Sequence, residues 1–196
     1  MVLAVAVDPP VVGEGDALDS EILSAASVAS WSDERLLARQ SRIALRRRLL
    51  DAQAAVLAAE LNRRSGRELG HQGLAARQGA RSPQELVQRI TGGTAREARA
   101  LIEVGALLNG DAPDTSRSPI PGAPVAPALR PWLAVVVTAV SSGELGVEAA
   151  EAIRVGLGEP SATVTAEALA EAAVRLVGDA RRTGADRLAA RARQER

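Results

Sequence analysis

The near absence of aromatic side chains is the feature that most constrains how this chain can fold. Its 196 residues include no Phe or Tyr, and its two Trp are Trp31 and Trp132. A core must therefore be built from Leu, Val, Ile and Ala, which suits thin, closely packed helices better than a broad sheet sandwich. Ala and Leu also lead the scale of helix propensity. These observations predict an all-α fold, a multi-helix bundle.

The chain contains no cysteine, which excludes disulfides, thiolate zinc sites and thiol nucleophiles together and fits a reducing cytoplasm. The apolar run at the N-terminus follows no positive charge and is interrupted by Asp8, Pro9 and Pro10, so it is a poor signal peptide. The longest apolar segment elsewhere, around 132–140, is too short to span a bilayer as a helix. We predict a cytoplasmic protein that does not enter a membrane.

Positive charge is concentrated in the middle of the chain, although the formal net charge is zero. Residues 35–99 contain fourteen Arg and five acids, whereas residues 1–34 contain seven acids and no basic residue. Residues 100–180 carry a net charge of −6 and residues 181–196 one of +4. A basic block of this kind indicates a nucleic-acid partner.

Changes in composition divide the chain into four segments. Residues 1–32 are acidic and lack a sustained helical period, which predicts a disordered lead-in. Residues 33–108 are predicted to form a basic helical half, and residues 131–196 a second helical half with a basic tail. The Pro-rich residues 109–130 between them are predicted to be a linker.

Breaker residues place the helices of the second half. We predict one helix from Pro131 to about Ser142, another over about 147–157, and a long one from about Thr165 that ends or kinks near Gly184. The run AVVVTAV at 134–140 is β-branched enough to suggest a strand, but the sequence has no second strand-like segment to pair with it. We therefore predict a helix there as well.

A long helix is predicted from Asp33, as its N-cap, to about Arg64. Apolar residues recur along it at intervals of three, four and seven and form one stripe: Leu36, Ile43, Leu50, Ala54, Leu57 and Leu61. A cationic ridge at 4-3-4 spacing lies beside that stripe: Arg35, Arg39, Arg42 and Arg46. The helix thus has a predicted buried side and a cationic side. The ridge is either a solvated face or a set of phosphate contacts.

Two helix starts follow within residues 81–108. Ser82 and Glu85 form one predicted capping box, with Pro83 at the first helical position, and Thr94 and Glu97 form the second. Gly92 and Gly93 separate the two helices. The residues expected to face each other across the turn are Leu86, Val87 and Ile90 on the first helix and Ala98, Leu101, Ile102 and Gly105 on the second.

This hairpin is compatible with two interpretations. In a DNA-binding helix-turn-helix, the first residues of the second helix meet base edges, which would present Thr94, Arg96 and Arg99. A hairpin used only for packing explains the same capping boxes. Gln88 stands where a DNA-binding motif would place a small residue, which favours packing.

The sequence offers little for catalysis. The chain has a single histidine, His71, in a Gly-rich stretch without a paired ligand, so an exposed loop residue is expected. Acids recur at helical spacing at Glu144, Glu148 and Glu151 and at Glu167 and Glu171, as solvated helix faces do. Neither of the phosphate-binding patterns GxGxxG and GxxxxGK occurs. We predict no catalytic residues, no metal site and no cofactor.

Two stretches carry a family resemblance. GARSPQELVQRITGGTAREARALIEVGALL and PWLAVVVTAVSSGELGVEAAEAIRVGL are similar to the patterns of domain of unknown function 222, the helical region that precedes an HNH endonuclease domain in the actinobacterial 13E12 repeat proteins. The resemblance covers about residues 33–180. Val87 occupies the place of the family's usual Trp, and the 109–130 segment is longer than the usual connection.

The resemblance implies a non-catalytic accessory region that engages DNA, because the chain lacks the histidines and cysteines of an HNH domain. The leading hypothesis is therefore DNA binding, with Arg35, Arg39, Arg42 and Arg46 on phosphates and Arg96 and Arg99 at a groove. The alternative is a protein-interaction module in which the apolar stripe of helix 33–64 pairs with a second copy or a partner helix.

Overall fold

The computed structural model describes residues 23–110, 130–180 and 182–195. Every regular element in these ranges is helical, which confirms the all-α prediction. The α-helices are α1 (Ala25–Ala29), α2 (Asp33–Arg63), α3 (Leu74–Arg77), α4 (Pro83–Thr91), α5 (Ala95–Leu108), α6 (Ala134–Ser141), α7 (Val147–Leu157), α8 (Ala166–Ala180) and α9 (Ala185–Gln194). Short 3₁₀ helices lie at Arg67–Gln72 and Pro131–Leu133. The chain divides between Ser41 and Arg42 into two compact units.

The described part of the first unit contains α1 and the start of α2. Helix α1 lies inside the segment predicted to be disordered, and residues 1–22 of that segment lie outside the described residues. Ser24 caps α1, because its hydroxyl accepts a hydrogen bond from the Ser27 N–H at 3.1 Å. Ser32, rather than the predicted Asp33, caps α2: its hydroxyl accepts from the Arg35 N–H at 3.3 Å. Asp33 instead occupies the first turn, where a negative charge suits the helix dipole.

The core of the second unit is aliphatic, as the composition requires. Its largest fully buried side chains are Val87, Val104, Leu133, Val136, Val140, Leu145, Ile153, Leu157, Leu169, Leu176 and Leu188. The main cluster joins residues on both sides of the predicted linker, since Ala100 and Val104 of α5 belong to it together with Val136 and Ile153. Residues 111–129 of that linker lie outside the described residues.

Small residues let the helices of the second unit approach closely. A Cβ placed on Gly105 of α5 would lie 1.8 Å from the carbonyl oxygen of Ala55 in α2. A Cβ on Gly156 of α7 would lie 2.3 Å from the Cβ of Ala192 in α9. Only a residue without a side chain fits at either crossing, so these two contacts fix which helix faces are buried.

The second half contains the helix predicted at 134–140, which is α6. The predicted basic tail includes α9, whose Leu188 and Ala192 are fully buried and belong to the main core. The predicted break near Gly184 separates α8 from α9. In the described ranges, no helix combines the length and the apolar character needed to cross a membrane.

Candidate nucleic-acid interface

The predicted hairpin is formed by α4 and α5 with three residues between them. Gly92 ends α4 in the left-handed region (φ 67°), a conformation that favours glycine. Thr94 caps α5: its hydroxyl accepts from the Glu97 N–H at 3.2 Å, and the Glu97 carboxylate accepts from the Thr94 N–H at 2.6 Å. The second predicted capping box is therefore closed in both directions.

The first predicted capping box is closed in one direction only. The hydroxyl of Ser82 accepts from the Glu85 N–H at 3.1 Å, which caps α4 as expected. The Glu85 carboxylate, however, accepts from the N–H of Arg81 at 3.0 Å, one residue before the expected donor. The start of α4 at Pro83 is unaffected, because the Ser82 cap alone satisfies a free N–H of the first turn.

The packing inside the hairpin differs in part from the prediction. Val87 of α4 and Ala98 of α5 are buried together with Ala58 of α2. Leu86 belongs instead to a small cluster with Ala75 and Ala80. The expectation that Ile90 of α4 and Gly105 of α5 belong to the facing surfaces of the two helices is wrong.

Ile90 and Gly105 are found in other environments than the one predicted. Ile90 is 65% exposed. Gly105 packs on α2 rather than on α4. The hairpin is also joined at its polar edge, where the side-chain amide of Gln84 donates to the Ala95 carbonyl at 2.8 Å.

Three predicted site residues lie together at the start of α5. Arg96 and Arg99 are exposed, and neither guanidinium makes a hydrogen bond or ion pair with any described residue. Thr94 is exposed as well, but its hydroxyl is engaged in the cap. The hairpin thus presents two unpaired cations on the first turns of its second helix.

The four arginines predicted as one ridge fall into different compact units, Arg35 and Arg39 in the first and Arg42 and Arg46 in the second. The Arg35 guanidinium lies 4.2 Å from the centroid of the Trp31 ring, a cation–π contact. Arg39 is half-buried, and both Arg39 and Arg46 interact with other groups of the chain. Arg42 is exposed and makes no such interaction with the described residues.

Arg47 is a cationic neighbour of the hairpin that the sequence patterns did not single out. Hydrogen bonds from the backbone and side chain of Thr94 lower the pKa of Glu97, and the positive charge of Arg47 lowers it further. Arg47 therefore lies near enough to Glu97, in the first turn of α5, for their charges to interact, while its side chain is 83% exposed and its Nε lies 4.0 Å from the Asp51 carboxylate. No local sequence signal marks it, because its position depends on how α2 and α5 pack.

The next residue, Arg48, points inward. Its Nε donates a hydrogen bond to the carbonyl oxygen of Gly143, which follows α6. Gly143 has a left-handed backbone (φ 72°), and a Cβ there would lie 2.8 Å from the Leu45 side chain. Arg48 thus fixes α2 to the turn after α6, while Arg47 lies at the surface in an ion pair with Asp51.

Most of the apolar stripe of α2 faces outward, contrary to the prediction that it forms the buried side, although Ala54 and Leu61 of that stripe are partly buried. The fully buried positions of α2 are Ala52, Ala55, Ala58 and Ala59. In the second unit, Leu50 and Leu57 are 64% and 65% exposed and Ile43 is 42% exposed. In the first unit, Leu36 is 39% exposed. The alanine face of α2 is the one that α5 crosses closely, at Gly105 against Ala55 and Ala59.

The acidic clusters have structural or solvated roles. Glu151 accepts a hydrogen bond from Arg154 at 2.7 Å. The backbone N–H of Glu167 lowers the pKa of the Glu167 carboxyl, and a hydrogen bond from the side chain of Thr165 lowers it further. His71 is exposed and lines an open cavity of about 650 Å³ with Arg63, Arg64 and Arg77. No three His, Cys or acidic residues among those described are grouped so that they could hold a metal ion.

Comparisons of the chain with models of known protein families, with curated proteins and with solved structures give no match. The resemblance to domain of unknown function 222 therefore stays a prediction, supported by the quoted motifs alone.

Proposed function

We propose that this chain is a non-catalytic DNA-binding module of the cytoplasm that uses the α4–α5 hairpin and the arginines beside it. The observation that carries the proposal is that Arg96 and Arg99 are exposed and unpaired at the start of α5. A cation in the first turns of a helix lies at the positive end of the helix dipole, where like charge is unfavourable. The Glu97 carboxylate already occupies the cap of α5, so a DNA phosphate would add negative charge beside Arg96 and Arg99, whose guanidiniums have no partner among the described residues.

The geometry of the hairpin supports the same proposal. In helix-turn-helix proteins, a turn of three or four residues joins two helices, and the N-terminal residues of the second helix meet base edges in the major groove. The turn at 92–94 has this length. Arg96 and Arg99 are three residues apart and so are neighbours on one face of α5. Arginine is also the side chain best suited to guanine edges and phosphates.

The remaining arginines are assigned to phosphates. Arg47 lies beside the start of α5, and Arg42 is exposed without a partner in the described residues. In the first unit, the contact of Arg35 with Trp31 occupies the face of the guanidinium and leaves its N–H edge for an acceptor. Arg39 and Arg46 remain in the proposal as weaker phosphate contacts, since each already interacts within the chain.

Fluorescence anisotropy of a labelled DNA duplex tests the proposal. The wild-type chain should bind at low salt, and the logarithm of its affinity should fall with the logarithm of salt concentration by about 0.9 for each phosphate contacted. Replacing both hairpin cations, Arg96→Gln with Arg99→Gln, should weaken binding by about tenfold or more.

A matched control separates the hairpin from general charge. Arg187 and Arg193 of α9 are also exposed, and their double replacement by Gln removes the same net charge. This control should bind DNA within about twofold of wild type. The proposal places no DNA contact on α9, and affinity depends on the arginines that contact DNA rather than on the net charge of the chain. Equal losses in the two double variants, or no binding by the wild type, would show that the hairpin does not read DNA.

A specific observation favours a second candidate function, that of a protein-interaction module. Leu50 and Leu57 of α2 expose about two thirds of their side chains on one helix face, and adjoining exposed apolar side chains can form an interaction surface. Light scattering over a concentration series tests this candidate. A higher-mass species that Leu50→Glu abolishes supports it, provided that circular dichroism shows the variant to be folded. A monomeric mass at every concentration contradicts self-association through this face.

A further inference from the structure

The outward face of α2 within the second unit has a symmetric arrangement of apolar residues. Ile43 lies seven residues before Leu50, and Leu57 lies seven residues after it. At about 100° per residue these three side chains fall within about 20° of one line along the helix. Ala59, nine residues after Leu50, lies about half a turn away and is buried against the core. We call Ile43, Leu50 and Leu57 the outward seam.

We propose that the outward seam binds the same seam of a second copy of this chain, with the two α2 helices antiparallel and the two-fold axis at Leu50. The proposal rests on the interaction-module function given above and adds the partner and its orientation. A two-fold axis at Leu50 sets Leu50 against its own copy and Ile43 against Leu57 of the second copy. All the exposed apolar residues of the seam are covered at once, as an isologous interface requires.

Charge on the two flanks of the seam selects the antiparallel orientation. Arg42 lies eight residues before Leu50 and Glu60 ten residues after it, so both project about 80° to the same side. In an antiparallel pair, residues on the same side of each helix meet, and Arg42 stands beside Glu60 of the second copy, twice by symmetry. Glu60 already accepts from Arg63 and Arg64 at 2.6 Å, and a carboxylate has lone pairs for a further donor.

The parallel orientation would bring like charges together. Arg46 and Arg47 are adjacent in sequence and lie on opposite flanks of the seam. In a parallel pair, opposite flanks meet at the same height, so Arg46 would stand beside Arg47 of the second copy, again twice, although Arg46 already interacts within its own chain and Arg47 pairs with Asp51. Juxtaposed like charges suppress that arrangement.

The length of the seam indicates a reversible dimer. From Ile43 to Leu57 it covers fourteen helical steps, or about 21 Å, which is about four turns. Beyond it, Leu61 is half-buried against residues of α3, α4 and α5, so the free surface ends there and the two α2 helices must cross at an angle rather than lie side by side over their full length. Interfaces of this short length belong to the small, transient class, so dissociation on dilution is expected.

Disulfide trapping tests the partner and its orientation, and the absence of native cysteine gives a clean background. Three single-cysteine variants are made at seam positions, Ile43→Cys, Leu50→Cys and Leu57→Cys, each at an exposed site. Val174→Cys on α8, at a position 58% exposed, is the matched control for random collision. One variant of each mixture carries a mass tag, so that mixed and self-linked dimers are resolved by denaturing electrophoresis.

The proposal predicts that Leu50→Cys links to itself and that a mixture of Ile43→Cys with Leu57→Cys forms the mixed dimer. Ile43→Cys alone should link to itself no faster than the Val174→Cys control. Efficient self-linking of Ile43→Cys would show a parallel pair and overturn this inference while leaving the interaction function intact. If Leu50→Cys links no faster than the control at any concentration, self-association through the outward seam about Leu50 is excluded.

Discussion

The close crossing of α2 and α5 yields the sharpest prediction about the fold. Replacing Gly105 by Ala would place a methyl carbon 1.8 Å from the Ala55 carbonyl oxygen and 3.0 Å from the Ala59 Cβ. Alanine is favoured over glycine inside a helix by about 1 kcal/mol, which works in favour of the variant. Overpacking typically costs about 1–3 kcal/mol, and a clash with backbone lies at the upper end of that range. We expect a net loss of about 2 kcal/mol.

Thermal unfolding followed by circular dichroism measures this loss. For a chain of this length, about 2 kcal/mol corresponds to a fall in Tm of about 4–8 °C. Gly178→Ala is the matched control, because Gly178 also lies inside a helix but a Cβ there meets nothing within 4 Å. That variant should gain up to about 1 kcal/mol, so the two identical changes should shift Tm in opposite directions.

The Gly105→Ala variant also tests DNA binding. If Gly105→Ala moves α5 away from α2, the separation between Arg47 and the cations of α5 increases, and DNA affinity should fall along with stability. A Gly105→Ala chain as stable as the Gly178→Ala chain would refute the reasoning, since α2 and α5 would then not be in backbone contact. The explanation for the outward orientation of the seam would be lost with it.

Two further predictions concern capping and pH. Thr94→Ala should lower stability by about 1 kcal/mol in urea unfolding because the cap of α5 is lost, whereas Thr94→Ser should keep both the cap and DNA binding. A Thr94→Ala chain as stable as Thr94→Ser would rule out the capping role. Arg63 and Arg64 lower the pKa of Glu60 from 4.5 to about 2. A pKa that is lowered in the folded state stabilises the fold above pH 4.5, and this contribution is lost as the pH falls toward 2. In Glu60→Gln, the free energy of unfolding measured by circular dichroism should therefore fall less between pH 4.5 and pH 2 than in wild type. An equal fall in the two chains would contradict this.

Local signals predicted the hairpin well because they act within a few residues. Ser82 and Thr94 each fix a helix start through a hydrogen bond to a backbone N–H three residues away, and the observed bounds of α4 and α5 follow from them. The helix at 134–140 was also predicted, although β-branched residues dominate it, because no strand was available to pair with it. These decisions needed no knowledge of the tertiary structure.

The face of α2 could not be predicted in the same way. Periodicity shows that a helix has a Leu stripe and an Ala stripe, but both are apolar, and burial of the Leu stripe is the ordinary expectation. Which stripe of α2 is buried depends on α5, a different helix, because Gly105 of α5 packs closely on the alanine side of α2. The position of Arg47 beside α5 depends on the same crossing. The wrongly predicted buried side of α2 and the unpredicted Arg47 therefore both depend on the long-range packing of α2 with α5.

DNA binding and dimerisation are proposed for different surfaces of the second unit, so each can be disrupted without the other. The hairpin cations Arg96 and Arg99 belong to α5, whereas the outward seam belongs to the face of α2 opposite its buried alanines. A two-fold axis at Leu50 would repeat the hairpin once, and DNA bound by two symmetry-related hairpins must present two inverted half-sites. Loss of the seam should then weaken binding to a paired site and leave binding to a single half-site nearly unchanged, whereas loss of the hairpin cations should weaken binding to both sites and leave the dimer in place. A chain that binds DNA as a monomer would show no such difference, so the ratio of the two affinities reports whether the seam and the hairpin act together.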